Sequence, residues 1–301
     1  MFIFTLGILS GKIRAENYLD SFGGFMKTLI SMVALTSFVS LSAAAELFRA
    51  KDYFIFHASS GSTVLSTAGT HWTESDQERN LAPRGSALYT VSGILIEDGI
   101  RGIIHAASGS MSYDDDEAKP TLEGIKLSLI NSIRIANEIK ASRLAVPLIG
   151  GGIFLDRIGV TSEELAYEMI KTAMTQKSKT EIVFVAYSDR DYESMNKGLA
   201  RANSSRETET SRLMAFVRKV IAFFTRSSAT SGSVAGKVSV VQGDITDFNV
   251  HQASVIVNAA NTELQFGGGL SGIIGKATRN AEAIDQMGSD TIREFYKSQK
   301  K

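Results

Sequence analysis

Cysteine is absent from the 301-residue sequence, and tryptophan occurs once. Without thiols, disulfides, thiol catalysis and cysteine metal sites are all excluded. Histidine is scarce as well. His57, His71, His105 and His251 are scattered, with no spacing that would gather them around a metal. Neither a metal nor a cofactor is expected. An excess of charge of one sign is also missing, because 32 Lys and Arg balance 32 Asp and Glu. Nothing global therefore advertises nucleic acid or an anionic membrane surface. Local basic clusters such as Arg212, Arg218 and Lys219 are too sparse to change that. What remains is an ordinary globular composition, 44% hydrophobic and 21% charged. The chain is long enough for one or two domains with real cores.

Near the N-terminus, Lys27 precedes an apolar run over residues 29–39, closed by Ala43, Ala44 and Ala45. This is the charged, apolar and small-residue pattern of a secretory signal peptide at 26–45. The run is short for a transmembrane helix, and an uncleaved anchor is the alternative. Residues before Met26 read as an extension upstream of the true start, so 1–45 is set apart from the fold. A chain starting near Glu46 is expected to be secreted or periplasmic, with no stable membrane insertion after cleavage.

Apolar runs at 102–106, 144–149 and 182–187 read as strands buried on both faces, which show continuous apolar sequence rather than alternation. Residues 121–140 and 162–175 repeat apolar residues at helical spacing, the first through Leu122, Ile125, Leu129, Ile133 and Ala136. Thr161 and Ser162 with Glu164 suit a helix start. Alternating strand and helix argue for a three-layer α/β domain. The segment 46–205 ends at a polar stretch, 203–210. Residues 206–232 hold a partly basic helix candidate, 211–224, and a Ser/Gly-rich linker. The segment 233–301 then brings strands at 238–241 and 254–257, a helix from Leu270 and another near 290–297.

Two glycine-rich loops carry the chemistry. Gly267, Gly268 and Gly269 lie between a strand and a helix, so free amides and the positive end of a helix dipole can face an anion. Gly150, Gly151 and Gly152, followed by Ile153 and Phe154, leave the carboxyl end of the strand at 144–149, where α/β sheets bind ligands. Each alone is equally well a tight turn. Together they can hold the two phosphates of a diphosphate, with Phe154 packing on a sugar face.

The string Gln242-Gly243-Asp244-Ile245-Thr246, then Ile256-Val257-Asn258-Ala259-Ala260-Asn261, then Gly267-Gly268-Gly269, resembles the opening half of a macro domain. Residues 84–90, Ile103-Ile104-His105-Ala106, Pro147 to Phe154 and 183–189 resemble the closing half. The resemblance implies a three-layer α/β/α macro fold with a central mixed, mostly parallel sheet. In the family the closing half (84–200 here) follows the opening half (233–301 here); in this chain it precedes it. A circular permutation would make one domain of about 186 residues, an ordinary size. Two tandem copies, the first with a decayed start and the second truncated, are the alternative. The echo of 103–110 in 55–62 speaks for the tandem arrangement.

The resemblance also implies roles in binding ADP-ribose. Asp244 accepts from the adenine amino group, and Ile245 packs near the ring. Asn261 binds the terminal ribose, and Asn258 supports the site from the strand end. Gly267, Gly268 and Gly269 line the ribose and diphosphate. Gly151, Gly152, Ile153 and Phe154 wrap the diphosphate from the other side, and Tyr187 stands near the adenine. His105 reads as a core histidine. Trp72 and the acidic run at 114–117 receive no role. The implied partner is ADP-ribose or an ADP-ribosylated protein, and no nucleic acid is expected. Two activities stay open, hydrolysis of an ADP-ribosyl linkage and recognition without turnover, beside a remnant with neither. The strongest hydrolase branch has an aspartate after the glycine triplet, where Leu270-Ser271-Gly272 stands here. Coronavirus-type macro domains lack it too, yet usually carry a histidine where Phe266 stands. Asn261 is left as the catalytic candidate, aligning a water by position alone.

Overall fold

The protein is described by a computed structural model at residues 53–58, 61–109, 119–224 and 237–299, with side chains for all of these but 153 and 208–224. The expected signal peptide at 26–45, the residues before it, the Ser/Gly-rich segment at 227–236 and the acidic run at 114–117 lie outside the described residues.

The three continuous apolar runs do form strands, the second only as far as Val146. The described strands are β1 (Tyr53–Ala58), β2 (Gly61–Ser66), β3 (Ala87–Val91), β4 (Gly102–Ala107), β5 (Arg143–Val146), β6 (Glu181–Ala186), β7 (Val238–Gln242) and β8 (Val255–Ala260). All eight belong to one sheet in the order β1-β2-β3-β4-β8-β5-β6-β7. From β4 to β7 the neighbours are parallel, and β1, β2 and β3 add an antiparallel flank. The C-terminal segment thus supplies a central strand, β8, and an edge strand, β7, to a sheet whose other strands come from earlier in the chain.

The helices are α1 (Glu74–Glu78), α2 (Leu122–Glu138), α3 (Leu155–Ile158), α4 (Ser162–Thr175), α5 (Asp189–Phe224), α6 (Phe248–His251), α7 (Gly269–Thr278) and α8 (Ala281–Gln299). Strand side chains alternate between the faces. Ile104, Leu144, Phe184 and Val257 meet α2, α4 and α5 on one face, through Ile125, Leu129, Leu165, Met169 and Met195. Ile103, Ala145, Val183 and Ile256 meet Ile274 of α7 on the other. On that second side Leu65 and Leu88 pack under Ile292, Phe295 and Tyr296 of α8. The result is three layers, helices on both faces of a mixed, mostly parallel sheet. Capping sets the helix starts: Thr121 Oγ1 accepts from Gly124 N at 3.1 Å, and Thr161 Oγ1 accepts from Glu164 N at 3.1 Å.

Three features depart from the sequence reading. The polar stretch at 203–210 is no boundary: α5 runs unbroken from Asp189 to Phe224. Its first turns are docked on α4 by the Arg201–Glu164 ion pair and by the Arg201 guanidinium, 3.7 Å from the Tyr167 ring centre. Residues 53–58 and 61–66, whose place in the sheet the sequence leaves open, form an antiparallel pair at its edge, the outer hairpin. The echo between 55–62 and 103–110 has no counterpart in topology, since β1 is an antiparallel edge strand and β4 a central one.

The C-terminal helix ends beside the start of the closing segment. Tyr296 Oη donates to the Leu81 carbonyl at 2.7 Å, Ala82 N donates to the Thr262 carbonyl at 2.7 Å, and Trp72 stacks edge-on at 5.4 Å from Phe295.

Candidate ligand-binding site

A cavity of about 650 Å³ opens at the carboxyl ends of the parallel strands. All five contribute to its lining: Ser108 after β4, Asn261 after β8, Pro147 after β5, Tyr187 after β6, and Gly243 with Ile245 after β7. This is where open α/β sheets place ligands, because strand ends present unpaired backbone and the loops diverge there. The two glycine loops, far apart in sequence, line the same cavity: Gly150, Gly151, Gly152 and Phe154 from one, Gly267, Gly268 and Gly269 from the other.

Each loop opens a helical segment without a side-chain cap. Gly268 is the N-cap of α7, and Gly151 the N-cap of the 3-10 turn Gly152–Phe154 that leads into α3. Helix starts leave amides unsatisfied by the helix itself. Among the described residues, the amides of Gly268 and Gly269 have no protein acceptor. Among the described residues no lysine or arginine lines the cavity, and the one charged lining residue is Asp191. An anion there would be held by backbone dipoles rather than by cationic side chains.

Gly150 has a different task. Its φ is +79°, and a Cβ would come 2.3 Å from Ile125 Cδ1 and 3.0 Å from Ile158 Cδ1. Gly150→Ala is therefore expected to lower stability by about 2 kcal/mol through backbone strain and overpacking. Urea denaturation checks it, and an unchanged midpoint would contradict it.

The expected site residues divide. Ile245, Asn261, Gly267, Gly268, Gly269, Gly151, Gly152, Phe154 and Tyr187 line the cavity. The Ile153 side chain lies outside the described residues. Asp244 does not line the cavity, although Gly243 and Ile245 on either side do. Its Oδ1 accepts from both Thr246 N and Thr246 Oγ1 at 2.8 Å, which fixes the turn after β7. Asn258 is not at the strand end but inside β8, fully buried. Sequence reasoning missed Asp191 and Met195 on the inner side of α5, and Ser271 and Ile273 on α7. The spacing of Asp191 and Met195, one helical turn apart, was the available signal.

Behind the second glycine loop stands a buried polar group. In register across β4 and β8, His105 Nδ1 accepts from Asn258 Nδ2 at 3.3 Å. The other ring nitrogen, Nε2, then carries the hydrogen and donates to Thr90 Oγ1 at 2.9 Å, and Thr90 passes its own hydrogen to the Val91 carbonyl at 3.2 Å. Burial pulls the His105 pKa down to about 3, so the ring is neutral and works as a structural strut. Asn258 Oδ1 is buried with no partner among the described residues. The Phe266 ring lies 5.2 Å from the His105 ring and fills the space beside Gly275, where a Cβ would come 2.7 Å from it. The glycine loop therefore leaves a well-packed anchor.

No family model matches the chain. It is similar to uncharacterized proteins of three Pyrococcus species. The Pyrococcus abyssi protein is 27% identical over 128 residues, 41% of this chain and 66% of that protein. The Pyrococcus horikoshii protein is 30% identical over 114 residues, 36% of this chain and 56% of that protein. The Pyrococcus furiosus protein is 29% identical over 112 residues, 36% of this chain and 58% of that protein. The chain thus spans less than two thirds of the length of these relatives.

Proposed function

We propose that this domain recognises ADP-ribose in the manner of a macro domain whose sequence halves are permuted. The observation that carries the reading is the convergence of two uncapped glycine loops on one cavity at the strand ends. The triplet offers the Gly268 and Gly269 amides to a phosphate, while in the other loop the Gly151 amide is held by the Leu148 carbonyl at 3.0 Å. Ile245 and Tyr187 at the β6–β7 end present an apolar and an aromatic surface for the base. Asn261 at the β8 end has an amide able to donate to and accept from a ribose hydroxyl. The cavity volume suits a ligand of nucleotide size. The permutation is supported by the single sheet that both segments build and by the Tyr296–Leu81 hydrogen bond. Joining α8 to the chain near Leu81 would restore the family order with little rearrangement.

Recognition stands before hydrolysis in this reading. Among the described lining residues no carboxylate or imidazole accompanies Asn261 at the glycine-triplet end. Hydrolysis would rest on alignment of a water by Asn261 and the ligand's own phosphate.

Calorimetric titration of ADP-ribose into the chain from Glu46 onward tests the reading. Saturable one-site binding is expected. Well-folded protein that binds no ADP-ribose would overturn the reading. Release of ADP-ribose from a modified protein, lost in Asn261→Ala, would add turnover to recognition.

A further inference from the structure

We propose that Asp285 of α8 is a positioning residue that holds the glycine-triplet loop in its ligand-ready form; the inference rests on the ADP-ribose reading for the ligand, and on geometry for the loop. Asp285 Oδ1 accepts from the Phe266 amide at 2.9 Å, across nineteen positions of chain. Phe266 is the last residue before three glycines, and glycine loses more backbone freedom on ordering than any other residue. No side chain within the triplet can tie it down. Its described attachments at the leading end are the Phe266 amide on Asp285 and the Gly267 amide donating to Ser271 Oγ at 3.3 Å; at the start of α7 the Gly268 carbonyl accepts from Gly272 N at 3.4 Å. Gly268 and Gly269, whose amides are unpaired among the described residues, lie just beyond those ties.

Asp285 is partly buried and pairs with no cation among the described residues. Burial pushes its carboxyl above the usual carboxylate range, opposed by the Phe266 hydrogen bond. A half-buried acid with that one described partner is a poor stabiliser of the fold at large. Its consequence is local: it sets the direction in which the backbone leaves the Phe266 anchor. Preorganised amides bind an anion without first ordering a flexible loop, which is the term Asp285 would improve.

Three variants and two ligands separate positioning from general damage. In Asp285→Ala, ADP-ribose affinity is expected to fall about tenfold or more. AMP, which lacks the second phosphate and terminal ribose, is expected to bind within about twofold of the parent protein. Asp285→Asn retains a carboxamide oxygen that accepts from the Phe266 amide, so it is expected to rescue ADP-ribose binding. The third variant, Asp290→Ala, removes a carboxylate elsewhere on α8 and is expected to change neither ligand. Amide hydrogen exchange without ligand gives the readout independent of function: Gly267, whose amide donates to Ser271 Oγ, should exchange faster in Asp285→Ala and at the parent rate in Asp285→Asn. Equal loss of AMP and ADP-ribose, failure of Asp285→Asn to rescue, or unchanged exchange in Asp285→Ala would each overturn the inference. If the parent protein binds no ADP-ribose, the functional reading fails and the exchange measurement alone decides whether Asp285 orders the loop.

Discussion

Gly268→Thr is expected to abolish measurable ADP-ribose binding, a loss of about a hundredfold or more, while leaving thermal stability nearly unchanged. The backbone at Gly268 has φ −86° and ψ −178°, an extended conformation open to any residue. A Cβ built there meets no atom within 4 Å, so the added side chain enters the cavity rather than the core. Threonine caps a helix about as well as glycine, so α7 keeps its start. What changes is the approach of the backbone to a phosphate, which a β-branched side chain would block. Gly150→Ala should show the opposite signature, lower stability with little direct change in the cavity, because its Cβ points at Ile125 and Ile158. Calorimetry and thermal unfolding on the two variants distinguish a binding glycine from a packing glycine. Full ADP-ribose affinity in Gly268→Thr would show that the ligand does not use this loop.

The contrast between the two glycines explains how far the site could be read in advance. Both loops stand out in sequence, because clustered glycines after an apolar strand are conspicuous. Which glycine faces the cavity and which faces the core depends on side chains from α2 and α3, and no local pattern encodes that. Asp285 illustrates the same limit. It touches the loop from the next helix, and the spacing between Phe266 and Asp285 follows no helical or strand period. Asp244 and Asn258 were drawn in by motif position. In the fold the first fixes a turn at the cavity rim and the second is spent on His105 inside the sheet.

The central strands were legible because both their faces are buried, which leaves mostly apolar residues along them, His105 and Asn258 excepted. The outer hairpin was not. β2 buries Thr63 and Ser66, and hydropathy cannot anticipate their partners, Thr291 Oγ1 and Asn131 Oδ1, each at 2.7 Å. A strand whose buried hydroxyls are satisfied from distant helices looks like a polar loop in sequence. The opposite error occurred in α5. Its stretch around Asn203–Glu207 looked like a boundary because it is polar, yet Ala202 is buried while Asn203 and Ser204 are exposed. A helix packed along one side needs only one apolar stripe, so a short polar stretch does not end it.

His105 carries the second large prediction: the domain should lose about 2 kcal/mol of stability between pH 7.5 and pH 5 from this residue alone. In the folded protein its pKa is about 3, and burial is the cause. In the unfolded chain a histidine titrates near 6.5. Between those values the unfolded state binds a proton that the folded state refuses, so stability is complete above about pH 6.5 and falls as pH drops, by about 1.4 kcal/mol per unit. His251, whose pKa burial also lowers, acts in the same direction. Asp285 has the opposite sign, since its raised pKa favours the folded state as it takes up a proton, and Glu181 loses its contribution only as pH falls below the ordinary glutamate range. Asp285 thus works against the two imidazoles as pH falls, and Glu181 adds to their effect only at lower pH. Urea unfolding at pH 7.5, 6 and 5 should therefore show a falling midpoint in the parent protein. His105→Gln keeps one donor and one acceptor at the position but does not titrate. Its starting stability should be lower and its slope with pH smaller by about one proton. Identical slopes would mean that His105 does not carry the effect. The consequence reaches the binding site, because the ring that would have to take up the proton packs against Phe266, whose backbone amide Asp285 holds. A proton on His105 would turn Nδ1 from an acceptor into a donor facing the Asn258 amide, removing the support from which the glycine loop extends.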